Sequence, residues 1–82
     1  MRLDKFLKVS RIIKRRTVAN DACDASFVSV NSRPAKASYN VKEGDVIQIR
    51  FGARTLTVRV LTLKDSTKKA DASEMYEVLS QE

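Results

Sequence analysis

The chain has 82 residues and a mass of 9.2 kDa, enough for one small domain that buries only roughly 60% of the surface its unfolded form exposes. Sixteen Lys and Arg against ten Asp and Glu give a formal charge of +6, which favours polyanionic partners. With no His and one cysteine, Cys23, there is no protein-only zinc set, no intramolecular disulfide and no imidazole-based triad, and no cofactor is expected.

Leu3, Phe6 and Leu7 follow i, i+3, i+4 spacing, which predicts a short helix with Asp4 at its cap and with Lys5 and Lys8 turned away. Arg11, Lys14, Arg15 and Arg16 then fall within six residues. A second helix is predicted after Thr17, whose hydroxyl can cap it, with Val18, Ala19, Ala22 and Cys23 as a narrow face of small residues. From Phe27 the period becomes two: Val28 and Val30 alternate with Ser29, and Ile47, Ile49 and Phe51 alternate with Val46, Gln48 and Arg50.

Glu43-Gly44-Asp45 reads as a turn, and Gly52-Ala53-Arg54 as a short connection to a third strand over residues 55–63, with Leu56, Val58 and Val60 facing the core. Residues 64–73 are polar without a clear period, and residues 75–79 offer a closing strand in which Tyr76 and Val78 share a face. The expected fold class is α+β: two short N-terminal helices packed on a small, mainly antiparallel sheet, all in a single domain over 1–82. No apolar run approaches the length of a membrane span, and the N-terminus has no apolar signal region, so a cytoplasmic protein is expected.

Residues 1–20 carry seven Lys or Arg and one acid, a local +6, whereas residues 65–82 sum to −3. Arg11, Lys14, Arg15 and Arg16 lie just before the second helix, whose first amide groups attract anions, and Arg grips phosphate through paired hydrogen bonds. Arg2, Lys5 and Lys8 extend this patch if the helices pack side by side. Arg50, Arg54 and Arg59 are expected on the solvated side of the hairpin. Phe6, Phe27 and Phe51 are read as core residues, which leaves no stacking platform and favours structured RNA over single strands. The carboxylates show no acid-base spacing, and neither glycine belongs to a phosphate loop, so nucleotide hydrolysis is not expected. Cys23 reads as a small buried residue.

The series Arg2-Leu3-Asp4-Lys5-Phe6-Leu7, Arg11, Lys14, Arg16 with Ala19, Val28-Ser29-Val30-Asn31, Lys36, Ser38 and Gly44-Asp45 resembles an S4-type (alpha-L) RNA-binding domain over about residues 2–51. The likeness runs on through Arg50-Phe51-Gly52, Val58, Lys64-Asp65, Thr67-Lys68-Lys69 and Met75-Tyr76. It is similar there to the ribosome quality-control branch of that superfamily and, more distantly, to its fifteen-kilodalton heat-shock branch. The resemblance implies a non-catalytic, monomeric factor that binds a large ribosomal subunit holding an obstructed peptidyl-tRNA. It implies contacts with large-subunit rRNA and P-site tRNA, and work alongside the NEMF-type factor RqcH in C-terminal alanine tailing. Contact roles fall on Arg2 and Arg16, supported by Lys5, Arg11, Lys14 and Arg15.

The alternatives are a factor for free large subunits, like the heat-shock branch, and a protein–protein adaptor. Where the family commonly has Gly, this chain has Ser26 and Ser32, so the turn through Asn31, Ser32, Arg33 and Pro34 is expected to be longer or differently shaped.

Overall fold

The computed structural model describes residues 1–64 and 69–82, Lys69 and Ala70 by their backbone only. Helix α1 spans Leu3–Val9 and buries Leu3, Phe6 and Leu7 completely, as the spacing requires. Asp4 does not cap it. The helix begins after Arg2, and its first two amides are satisfied by backbone instead: Leu3 N–H donates to Tyr39 O at 2.8 Å and Asp4 N–H to Ala37 O at 3.2 Å. The N-terminal ammonium donates to Asn40 Oδ1 at 2.8 Å and Val41 N–H to Met1 O at 2.7 Å, so the loop after the first hairpin anchors the chain start.

Helix α2, Arg16–Asp24, packs against α1 through Ala19 and Cys23, both buried. Thr17 is not its cap; Arg15 occupies that position without a side-chain cap bond, and Val18 points to solvent. At the far end Ser26 N–H bonds Cys23 O and Phe27 N–H bonds Ala22 O, the paired bonds of a Schellman motif, with Ser26 at φ 64° where Gly is usual.

The sheet runs β2-β1-β3-β4-β5, every pair antiparallel: β1 Val28–Val30, β2 Arg33–Pro34, β3 Val46–Phe51, β4 Arg54–Val60 and β5 Tyr76–Gln81. Val28, Val30, Ile47, Ile49, Val58 and Val60 turn to the helices and close the core with Phe6, Leu3, Leu7 and Met75. Periodicity alone does not reveal β2, a two-residue edge strand that accommodates Pro34.

The β1–β2 turn is tight, contrary to expectation. Val30 pairs with Arg33, and Asn31 (φ 52°) and Ser32 (φ 70°) both take left-handed conformations, the two-residue pattern usually filled by Asn-Gly. Asn31 is held there by long-range bonds: Val46 N–H donates to its Oδ1 at 3.0 Å, and its Nδ2 donates to Asp45 Oδ1 at 3.1 Å. Asp45 also accepts from Tyr39 Oη at 3.0 Å and Lys42 N–H at 2.9 Å, tying the hairpin to the loop before β3.

Two further differences concern the end of the chain and the aromatics. A four-residue helix α3, Lys69–Ala72, lies within the polar stretch; Asp65, Thr67 and Lys68 of the resemblance lie outside the described residues. Only Phe6 of the three phenylalanines is a core residue, since Phe27 is 47% and Phe51 43% exposed. Phe27 shares the parity of Ser29, opposite to Val28, and Phe51 lies at the end of β3, past the pairing with β1.

Candidate nucleic-acid interface

The basic patch is organised by a carboxylate. Asp4, in the first turn of α1, has a side chain only 3% exposed, yet two arginines converge on it. Arg2 donates from Nε to Oδ1 at 3.2 Å and from Nη2 to Oδ2 at 3.4 Å. Arg16, at the start of α2, approaches with Nε 3.4 Å from Oδ2 and Nη2 3.4 Å from Oδ1. Asn20, one turn further along α2, adds Nδ2 to Oδ2 at 3.3 Å, and Lys5 N–H donates to Oδ1 at 2.8 Å.

Burial pushes the Asp4 carboxyl pKa upward, but the bonds from Arg16, Asn20, Arg2 and the Lys5 amide outweigh it and hold the group below the usual carboxylate value. The anion is therefore the working state. Each guanidinium spends one edge on Asp4 and keeps further N–H donors for a ligand, and both side chains remain about half exposed. Side-chain entropy that a flexible surface arginine would lose on gripping a phosphate is already lost here.

The connection between the helices presents the other cations. Ser10 ends α1, and Arg11 follows in a left-handed conformation (φ 64°) with its N–H on Lys8 O at 3.0 Å. Ile13 then turns inward, 7% exposed, with its N–H on Leu7 O at 3.0 Å. That apolar anchor leaves Arg11, Lys14 and Arg15 on the outside of the loop, next to the uncapped amides of α2. Lys5 is half-buried on α1. Arg16, expected just before the second helix, is the first residue of α2, where it satisfies a buried group.

Charge clustering points to the cations; it does not reveal the buried acid beneath two of them. Asp4 and Asn20 are the residues missed, and the available signal is that Asp4 is the lone acid among seven cations in residues 1–20. Among the described residues there is no cluster of Cys, Asp and Glu able to hold a metal, and no helix is long and apolar enough to cross a membrane. Cys23 is buried in the core, its thiol raised to about 11 by burial and by Asp4 and Asp24, which makes it a packing residue.

Residues 1–47 match the S4 domain, a span that takes in Arg2 and Arg16, helices α1 and α2, and the β1–β2 hairpin. Over 82 residues the chain is 55% identical to the RQC P-site tRNA stabilizing factor of Bacillus subtilis (strain 168), with 100% of this chain and 95% of that one covered. It is 57% identical over 81 residues to the protein of the same name from Streptococcus pneumoniae (strain ATCC BAA-255 / R6), covering 99% of this chain and 92% of the other. The chain belongs to this S4 domain family. The S4 match stops within β3, but the structural likeness continues. Heat shock protein 15 of Vibrio cholerae, solved as a trimer, superimposes with a TM-score of 0.90 at 28% identity, over 98% of this chain and 82% of that one. The heat-shock likeness thus reaches the closing strands as well as the S4 region.

Proposed function

We propose that this chain is a non-catalytic RNA-binding factor of ribosome-associated quality control. It acts in the cytoplasm on large ribosomal subunits that hold an obstructed peptidyl-tRNA. The observation that carries this reading is the Asp4 clamp, which pre-orients Arg2 and Arg16 side by side on a helical surface, within a chain similar over its full length to P-site tRNA stabilizing factors. Arg2 and Arg16 contact RNA phosphates, and Lys5, Arg11, Lys14 and Arg15 support them through the surrounding field.

The contribution is positional. A preorganised pair of guanidiniums bridges large-subunit rRNA and the P-site tRNA, and slows loss of the tRNA while RqcH directs addition of C-terminal alanines. The chain does this as a monomer and as one domain, an S4-type core over about 2–51 with a strand extension over 52–82. In a reconstituted tailing reaction on obstructed large subunits with RqcH, adding the protein lengthens the alanine tails, and a variant with Arg2→Ala and Arg16→Ala does not. Tails of equal length with and without the wild-type protein would overturn the proposal. Equal binding to empty subunits would favour a factor for free subunits.

A further inference from the structure

We propose that the outer face of the sheet, at the β3–β4 hairpin end, is a second RNA-contacting surface that stacks an unpaired base on Phe27 and holds an adjoining phosphate with Arg50. An isolated exposed phenylalanine would need no explanation. Here the register gives it a neighbour. Arg50 N–H donates to Phe27 O at 2.9 Å, and Val28 opposite Ile49, both turned inward, sends Phe27 and Arg50 together to the outer face. Directly paired residues on adjacent strands hold their Cβ atoms about 5 Å apart, close enough for a base on the ring to bring its phosphate to the guanidinium.

The next row of the same face is Ser29, Gln48 and Thr57, polar groups able to bond base edges. Arg50 makes no ion pair among the described residues, whereas Arg59, further along the face, is engaged by Glu77 at 3.5 Å. Glu82, whose backbone pairs with Thr55, is an acid at this end of the sheet, two strands from Arg50 or about 10 Å across it. The local charge therefore suits a polyanion. An exposed ring bordered by Arg, Gln, Ser and Thr, with no broad apolar surround on those rows, fits a nucleobase better than a protein side chain.

This surface is distinct from the Asp4 clamp. Phe27 follows the C-terminus of α2 and Arg16 begins it, so the nine-residue helix separates them by about 13 Å along its axis. The two sites engage different segments of one RNA: the clamp grips backbone, and the sheet face takes an unstacked base.

The test uses the full-length protein with short single-stranded oligoadenylate and oligouridylate of equal length. Oligoadenylate binds more tightly and moves the Phe27 ring resonances upfield. Phe27→Leu, which keeps apolar bulk at an exposed site, weakens oligoadenylate binding by roughly tenfold without altering the salt slope. Arg50→Gln lowers that slope by about 0.7. Arg16→Ala leaves the Phe27 ring shift in place, so failure of the clamp reading and failure of this one are separable. Unchanged oligoadenylate binding by Phe27→Leu, or no ring shift in the wild type, would overturn the proposal.

Discussion

Replacing Asp4 with Asn separates positioning from simple charge, because the two effects have opposite signs. Asparagine keeps the shape and one acceptor but turns the other oxygen into a donor facing the guanidiniums of Arg2 and Arg16 and the amide of Asn20. Removing one partner of a buried ion pair costs about 3–5 kcal/mol when the remaining charge is also buried. The arginines here are 51% and 48% exposed and are rescued by water, so the expected loss is smaller. About 2 kcal/mol is reasonable, a fall in Tm of roughly 8–16 °C for a domain of this size. Releasing two arginine side chains adds about 0.5–1.5 kcal/mol each to the cost of binding, so RNA affinity falls by roughly 5- to 150-fold. The variant's net charge is one unit more positive than that of the wild type, because a carboxylate is lost. If the field alone mattered, its affinity would rise. Titration with RNA well below the melting transition, at several salt concentrations, should show weaker binding with an undiminished salt slope, since both arginines remain. Tighter binding by Asp4→Asn would refute the positioning argument.

Ser26→Gly and Ser32→Gly should each stabilise the protein by roughly 0.5–1 kcal/mol, because left-handed strain is relieved at φ 64° and φ 70° and is only partly offset by the greater freedom of glycine in the unfolded chain. An unchanged or lower Tm for both would contradict this. Asp45, like Asp4, has its carboxyl pKa raised by burial and lowered more strongly by its bonds, here from the Lys42 amide, Asn31 and Tyr39. The stability from both groups is complete above the ordinary carboxylate range and is lost as pH falls through their lowered folded values, so urea midpoints should drop in acid. That drop should be shallower in Asp4→Asn. Cys23, buried and with its thiol at about 11, should resist alkylation in the folded protein and react once urea unfolds it; rapid modification under native conditions would be inconsistent with the packing.

Some elements are legible from local patterns because the cause of their formation is local. Leu3, Phe6 and Leu7 mark the buried stripe of α1, and the alternation of Ile47 and Ile49 with Gln48 marks β3; in both, the period of the backbone sets which side chains are buried. Phe27 and Phe51 depend on where neighbouring elements stop, which no short window contains. The Ser32 turn is legible only as a preference. Asn31 overrides that preference through bonds to Val46 and Asp45, fifteen and fourteen residues away. The same limit applies to the candidate site. The six cations stand out as a cluster of charge, whereas Asp4 looks like a helix cap until α2 brings Arg16 and Asn20 against it.

A consequence for RNA binding is that Arg16→Ala is not a purely electrostatic variant, since it also strips donors from a buried carboxylate. Its affinity must be read together with its stability. The salt slope is the cleaner quantity, falling by about 0.9 for each duplex phosphate contact removed.

The central proposal is recognition of RNA, through Arg2 and Arg16, on subunits that still hold tRNA. The most direct measurement is the binding of purified protein to two matched large-subunit preparations, one empty and one holding peptidyl-tRNA, at near-physiological salt. Clear preference for the tRNA-bearing particle is expected, abolished when Arg2 and Arg16 are both replaced by Ala. Equal binding to the two preparations, or preference that survives the double replacement, would contradict it.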